Sequence, residues 1–170
     1  SAMYLDEDVT ETDPVTILWD FGDGITATDV LNPTHAYGDN GIFDVTVTIT
    51  DSQGSVGTDA LQVTVGNLAP AIDPMPNRIT AIDTLIAIPL SFSDPGWLDT
   101  HQVDVDWGDG DTDTINLPAG VLTTELTHTY QAITDYIVQV TVRDDDGAQG
   151  ATSFTISVWA EYYRIQMPLV

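Results

Sequence analysis

Cysteine and lysine are both absent, and only Arg78, Arg143 and Arg164 stand against 27 acidic residues. Without cysteine there is no disulfide framework, no thiolate metal site and no thiol nucleophile. Secretion stays open, because a domain with a full hydrophobic core folds without staples. A net charge of −24 over 170 residues repels phosphate backbones and anionic headgroups, so nucleic acid and membrane surfaces are poor partners. Such a surface attracts cations, and its plainest use is solubility. No apolar run reaches the ~18 residues of a membrane span. No signal peptide is visible, and Ser1-Ala2-Met3 reads as a cloning remnant. Also missing are a Gly-x-Ser-x-Gly elbow, a His-Glu-x-x-His helix and a phosphate-binding glycine loop. No catalytic residue is assigned, and no enzymatic activity is expected.

What is present is a repeat. Trp19-Asp20-Phe21-Gly22-Asp23-Gly24 returns as Val105-Asp106-Trp107-Gly108-Asp109-Gly110. His35-Ala36-Tyr37 returns as His128-Thr129-Tyr130, and Val45, Val47, Ile49 and Asp51 return as Val138, Val140, Val142 and Asp144. Leu61, Val63 and Val65 return as Phe154, Ile156 and Val158. The offset is 86 residues at the first landmark and 93 at the later ones, so the second copy holds seven more residues near Ile115 to Thr124. Two copies mean two domains, residues 4–66 and 67–159, joined at Gly66-Asn67-Leu68-Ala69-Pro70 and followed by an apolar tail, 160–170.

The local pattern is β. Phe43, Val45, Val47 and Ile49 alternate with Asp44, Thr46, Thr48 and Thr50, so one strand face is buried and the other solvated. Tyr136, Val138, Val140 and Val142 repeat this. Asp51-Ser52-Gln53-Gly54 and Asp144-Asp145-Asp146-Gly147 read as hairpin turns, and no apolar stripe has helical spacing. Short strands punctuated by turns predict an all-β chain of two tandem antiparallel β-sandwiches. Trp19 with Phe21, and Val105 with Trp107, should point into the two cores. His35 with Tyr37, and His128 with Tyr130, are placed on a later strand at the same end. Each histidine is expected to bond the Gly-Asp-Gly turn or pack on its neighbour.

Three motifs in this order, Trp-Asp-Phe-Gly-Asp-Gly, Asn-Pro-Thr-His-x-Tyr and Gly-x-Phe-x-Val-x-Val-x-Ile-x-Asp, closely resemble the PKD (polycystic kidney disease) domain. The second copy lacks the Asn-Pro before Thr127. The resemblance covers roughly residues 12–65 and 70–158 and implies immunoglobulin-like sandwiches. It also implies a non-catalytic extracellular module, a spacer or adhesion segment of a larger secreted or cell-surface protein of prokaryotic type. The alternative is an accessory module holding a secreted hydrolase on a polysaccharide or protein polymer. Partners are then other domains of the host and a protein or glycan ligand.

Three further expectations concern sites. The first copy has no counterpart of Leu85-Ile86-Ala87-Ile88-Pro89-Leu90-Ser91-Phe92, so it is expected to begin inside a module, with an open edge that invites strand exchange between copies. No metal ligand is assigned, but calcium is weighed at one pole of the second module, where Asp94, Asp99, Asp144 and Asp146 could converge. The first module offers Asp6, Glu7, Asp8, Glu11 and Asp13 opposite Asp51. Trp97 is expected to cap the end of the core, an exposed binding role being the other reading. Tyr162 to Val170 reads as strand extension or disorder, with strand donation as the alternative.

Overall fold

A computed structural model describes residues 14–160. The chain divides into two compact units, Ser1–Asn67 and Leu68–Val170. No helix occurs among the described residues.

In the first unit the strands are β1 (Thr16–Asp20), β2 (Thr26–Thr28), β3 (Gly41–Thr50) and β4 (Val56–Val65). They form one antiparallel sheet in the order β2-β1-β3-β4. Directly opposed residues share a face. The register pairs Trp19 with Val47, Val45 with Leu61, and Phe43 with Val63, which collects the apolar side chains on one side. Val45, Val47 and Phe21 are buried there, but Leu61 is 56% exposed.

The second unit has β5 (Ala71–Ile72), β6 (Arg78–Ala81), β7 (Ile86–Ser93), β8 (His101–Asp106), β9 (Thr112–Leu117), β10 (Thr123–His128), β11 (Asp135–Asp144) and β12 (Gln149–Trp159). They make two sheets, β10-β7-β5 and β6-β12-β11-β8-β9, with β6 the one strand that pairs in parallel, against β12. Ile88, Leu90 and Phe92 of β7 and Leu126 of β10 lie in one core with Val103 and Val105 of β8, Val138, Val140 and Val142 of β11, and Phe154, Ile156 and Val158 of β12. Each such burial is worth about 1.5–3 kcal/mol against exposure, so this two-layer core dominates the unit's stability. Pro89 is tolerated in β7 because β5 pairs only with Phe92 and Ser93, leaving no ladder partner for the missing N–H on that side.

The seven extra residues of the second copy lengthen β9 to six residues, against three in β2, and form the turn into β10. The strand expected for the His-x-Tyr motif is corrected. His128 is the last residue of β10 and Tyr130 lies beyond it, while His35 and Tyr37 belong to no strand. The reason is pairing. β10 ladders only onto β7, and the described residues of the first unit hold no equivalent of β7.

The two Gly-Asp-Gly turns need positive φ, 83° and 89° at Gly22 and Gly24, and 80° and 104° at Gly108 and Gly110. At Gly108 a Cβ would also stand 2.6 Å from the carbonyl oxygen of Ile137, whereas at Gly110 it would meet nothing within 4 Å. Gly110→Ala is therefore expected to cost only the backbone strain, about 1–2 kcal/mol. Gly108→Ala must cost clearly more, because β11 has to move as well. Thermal unfolding of the two variants checks the difference, and equal losses would contradict it.

Candidate functional site

The histidines expected to serve the turns do so in both units. His35 Nε2 lies 2.7 Å from Asp23 Oδ2, and His128 Nε2 lies 2.7 Å from Asp109 Oδ2. An ionised carboxylate only accepts, so Nε2 carries the proton in each pair. The His35 ring stacks on Phe21 with centroids 4.1 Å apart, and His128 stacks on Trp107 at 4.6 Å. Tyr37 and Tyr130 stand edge-on to those rings. Their hydroxyls donate to the carbonyls of Phe21 and Trp107, each at 3.0 Å. The Asp23 and Asp109 Oδ1 atoms accept the backbone N–H of Ile25 and Asp111. One clamp of aromatic ring, histidine, aspartate and tyrosine is thus built twice.

Desolvation pushes the carboxyl of Asp109 up, but the hydrogen bond from His128, the Asp111 N–H and attraction to the His128 ring more than offset it and hold it below the usual carboxylate range. Asp23 is likewise lowered: desolvation raises it, and the Ile25 N–H and His35 outweigh that. Burial, helped by the charge on Asp109 and by Tyr136, drives the Tyr130 phenol far above its ordinary value, so it stays a proton donor. Asp109, Asp111 and His128 could offer three ligand atoms to a metal. Ile25 holds the place of Asp111 in the first unit, however, and the clamp is complete there without a third ligand. The repeated part is structural.

The acidic pole of the second unit is different. Asp94, Asp99 and Asp144 each place a carboxylate oxygen within 4.8 Å of the others. Asp99 and Asp144 are buried, at 2% and 4% exposure, and the side chain of Asp94 is 1% exposed. Asp146, the fourth residue weighed for this pole, is exposed and brings an oxygen within the same distance of Asp99. The loop is tied locally: Asp94 Oδ1 accepts the Gly96 N–H at 3.0 Å, and Asp94 Oδ2 lies 3.1 Å from Nε2 of the buried His101. Asp144 Oδ1 accepts the Ala148 N–H at 2.8 Å, and Asp145 Oδ1 accepts the Thr100 N–H. At an effective dielectric of about 20, each pair of ionised carboxylates at this separation would repel by about 3.5 kcal/mol or more. The His101 imidazole against Asp94 offsets part of that. An all-oxygen set of buried carboxylates at a loop is the chemistry a hard divalent cation takes, calcium above all.

Gly96 was not singled out by its sequence and proves necessary here. A Cβ on it would collide with the Asp99 carboxylate, with Cγ only 2.6 Å away. Asp-Pro-Gly reads as an ordinary turn, so nothing in the sequence marked the contact. Trp97, expected to cap the core, is instead 51% exposed, beside Leu98 at 57%. The ends of β7 and β8 are already closed by Phe92 edge-on to His101, which leaves the indole no gap to fill. In the first unit Asp51 Oδ1 accepts the N–H groups of Gln53 and Ser55, as a hairpin turn requires. Asp6, Glu7, Asp8, Glu11 and Asp13 lie outside the described residues, as does the tail from Glu161.

The family profile of the PKD domain matches the chain twice, over residues 5–65 and 67–158. Collagenase ColA of Bacillus cereus is 45% identical over 51 residues, 30% of this chain and 5% of that protein. A microbial collagenase of Vibrio alginolyticus is 44% identical over 61 residues, 34% of this chain and 7% of that protein. The chain thus spans only a small part of either relative. Among solved structures, a tetra-tandem repeat from the extending region of a large adhesion protein aligns with 90% of this chain and 43% of its own, at 17% identity and a TM-score of 0.51. That likeness concerns the fold alone.

Two outcomes are expected. A group with a lowered folded pKa stabilises above its unfolded value, about 3.9 for aspartate, and that contribution is lost as pH falls through the folded value. The melting temperature of wild type should therefore fall more steeply below about pH 4 than that of the Asp23→Asn/Asp109→Asn variant, and parallel curves would contradict the clamp's role. Calcium should raise the melting temperature of the second unit, by the equivalent of about 2.7 kcal/mol at a hundredfold excess over Kd. Chelator should reverse the rise, and Asp144→Asn should remove it. An unchanged wild-type melt in calcium would assign the acidic pole to folding alone.

Proposed function

We propose, for a chain that belongs to the PKD domain family through both of its units, that it serves as a non-catalytic module of a larger secreted or cell-surface protein and holds other domains apart. The observation that carries this reading is the character of the second unit. It is a closed two-layer sandwich whose outward positions on β8, β11 and β12 are Gln, Asp, Thr, Ser, Ala, Arg, a single Ile and, at the last position of β12, the exposed Trp159, so the face carries one isolated aromatic and no aromatic row. All three histidines, moreover, direct Nε2 to an aspartate of their own unit. None is paired with a hydroxyl nucleophile among the described residues. No described helix is long and apolar enough to cross a membrane.

A second reading rests on its own observation. Trp97 and Leu98 stand exposed side by side on a loop, as an anchor for a polymer or protein partner would. Both curated relatives named above are collagenases, which fits an accessory module beside a hydrolase.

Co-sedimentation with collagen fibrils, chitin and cellulose separates the two. The spacer reading expects the chain to stay in the supernatant of all three and to release no product from them. Retention on one polymer, reduced about tenfold by Trp97→Ala, would replace it with the accessory reading; such a loss corresponds to about 1.4 kcal/mol.

A further inference from the structure

What the two clamps do not share is a third donor beside the histidine. Asp23-Gly24-Ile25 of the first unit becomes Asp109-Gly110-Asp111 in the second. Ile25 serves its clamp only through the backbone N–H that it donates to Asp23, and its side chain is exposed. The Asp111 N–H makes the same bond to Asp109, so the Asp111 carboxylate takes no part in the clamp. It stands instead beside the pair that the clamp has already assembled. One imidazole nitrogen of His128 and one oxygen each of Asp109 and Asp111 lie within 4.8 Å of one another.

Two exposed acids alone would hold no ion selectively. An imidazole among them changes the chemistry, because calcium and magnesium prefer oxygen donors, whereas imidazole suits zinc, nickel and copper. Donors on a zinc ion stand roughly 2.0–2.2 Å from it, hence about 3.4 Å apart in a tetrahedral site. The His128–Asp109 pair, 2.7 Å apart, therefore has to open by ~0.7 Å while Asp111 swings inward. Asp111 is exposed, so that swing crosses solvent. The other two donors are held beforehand. The His128 ring lies 10° from parallel to the Trp107 ring with Tyr130 edge-on, and Asp109 Oδ1 is fixed by the Asp111 N–H. Donors held in this way lose less entropy when the ion arrives. The net charge of −24 draws cations towards them.

We propose that Asp109, Asp111 and His128 form a binding site for a divalent ion of the zinc and nickel kind, present in the second unit and absent from the first. Nε2 is the nitrogen that faces Asp109, so the ion takes the place of its proton, and one proton leaves for each ion bound. Three protein ligands leave a fourth position to water or to a donor from a partner. The site is distinct from the acidic pole at Asp94, Asp99 and Asp144. It adds to the role given to the whole chain above, and its failure would leave that role untouched.

The test titrates the 170-residue chain with zinc chloride near neutral pH and follows its three histidine side chains by NMR. The His128 ring resonances should move saturably, half-complete below about 1 mM, while those of His35 stay in place. Asp111→Ile, which copies the first unit, should weaken binding at least about tenfold and leave the His128–Asp109 hydrogen bond intact, with Asp111→Asn as a milder second variant. The reciprocal Ile25→Asp should give His35 a saturable response of its own. Half-saturation should shift to higher zinc as pH is lowered, since a proton competes for the nitrogen. Equal shifts at His35 and His128, an Asp111→Ile response like that of wild type, or the same His128 response to calcium chloride would each overturn the proposal. A response confined to His101 would do so as well, by placing the ion at the acidic pole.

Discussion

A sheet with apolar side chains at every second position must have that face covered, and most of this structure follows from that requirement. In the second unit the cover is β7 with β10, and the resulting core takes in fifteen buried residues from both layers. The first unit carries the same alternation on β1, β3 and β4 without that layer among the described residues. The two units therefore differ less in sequence than in what they bury. Even local features obey the same rule. Val30 to His35 aligns with β10 but has no β7 to ladder onto, and it stays irregular.

The aromatic–His–Asp–Tyr clamp is the second constraint, and it holds where the first does not. His35 and His128 bond their aspartates at the same 2.7 Å although only the second unit has a second sheet among the described residues. All its parts come from short-range geometry. Gly-Asp-Gly turns the aspartate back, the histidine stacks on the last inward aromatic, and the tyrosine closes on the carbonyl of that same residue. The clamp ties the β1–β2 and β8–β9 turns to the segment that crosses to the other layer.

Much of this was legible in the residues. Alternation in Phe43 to Ile49 and Tyr136 to Val142 carried the strands, and the doubled Gly-Asp-Gly and His-x-Tyr carried the division in two. The acidic pole was also foreseeable, because Asp94, Asp99 and Asp144 lie at strand ends that a sandwich brings together. Three-dimensional contacts hid the rest. Gly96 needs to be glycine because Asp99 folds back over it. Trp97 is exposed because Phe92 and His101 already seal that end of the core. The open inner face was only half visible: a shorter first copy predicts an open edge, whereas the exposure of Leu61 shows that among the described residues the face of the sheet is uncovered as well.

The charge of the chain acquires a more local meaning in this light. Most of its acids are exposed and have water and salt to screen them. Asp94, Asp99 and Asp144 do not, because burial removes the screening and leaves their mutual repulsion in place. The fold answers that repulsion at least in part with His101 Nε2 against Asp94 and with the Gly96 and Ala148 N–H groups donated to Asp94 and Asp144.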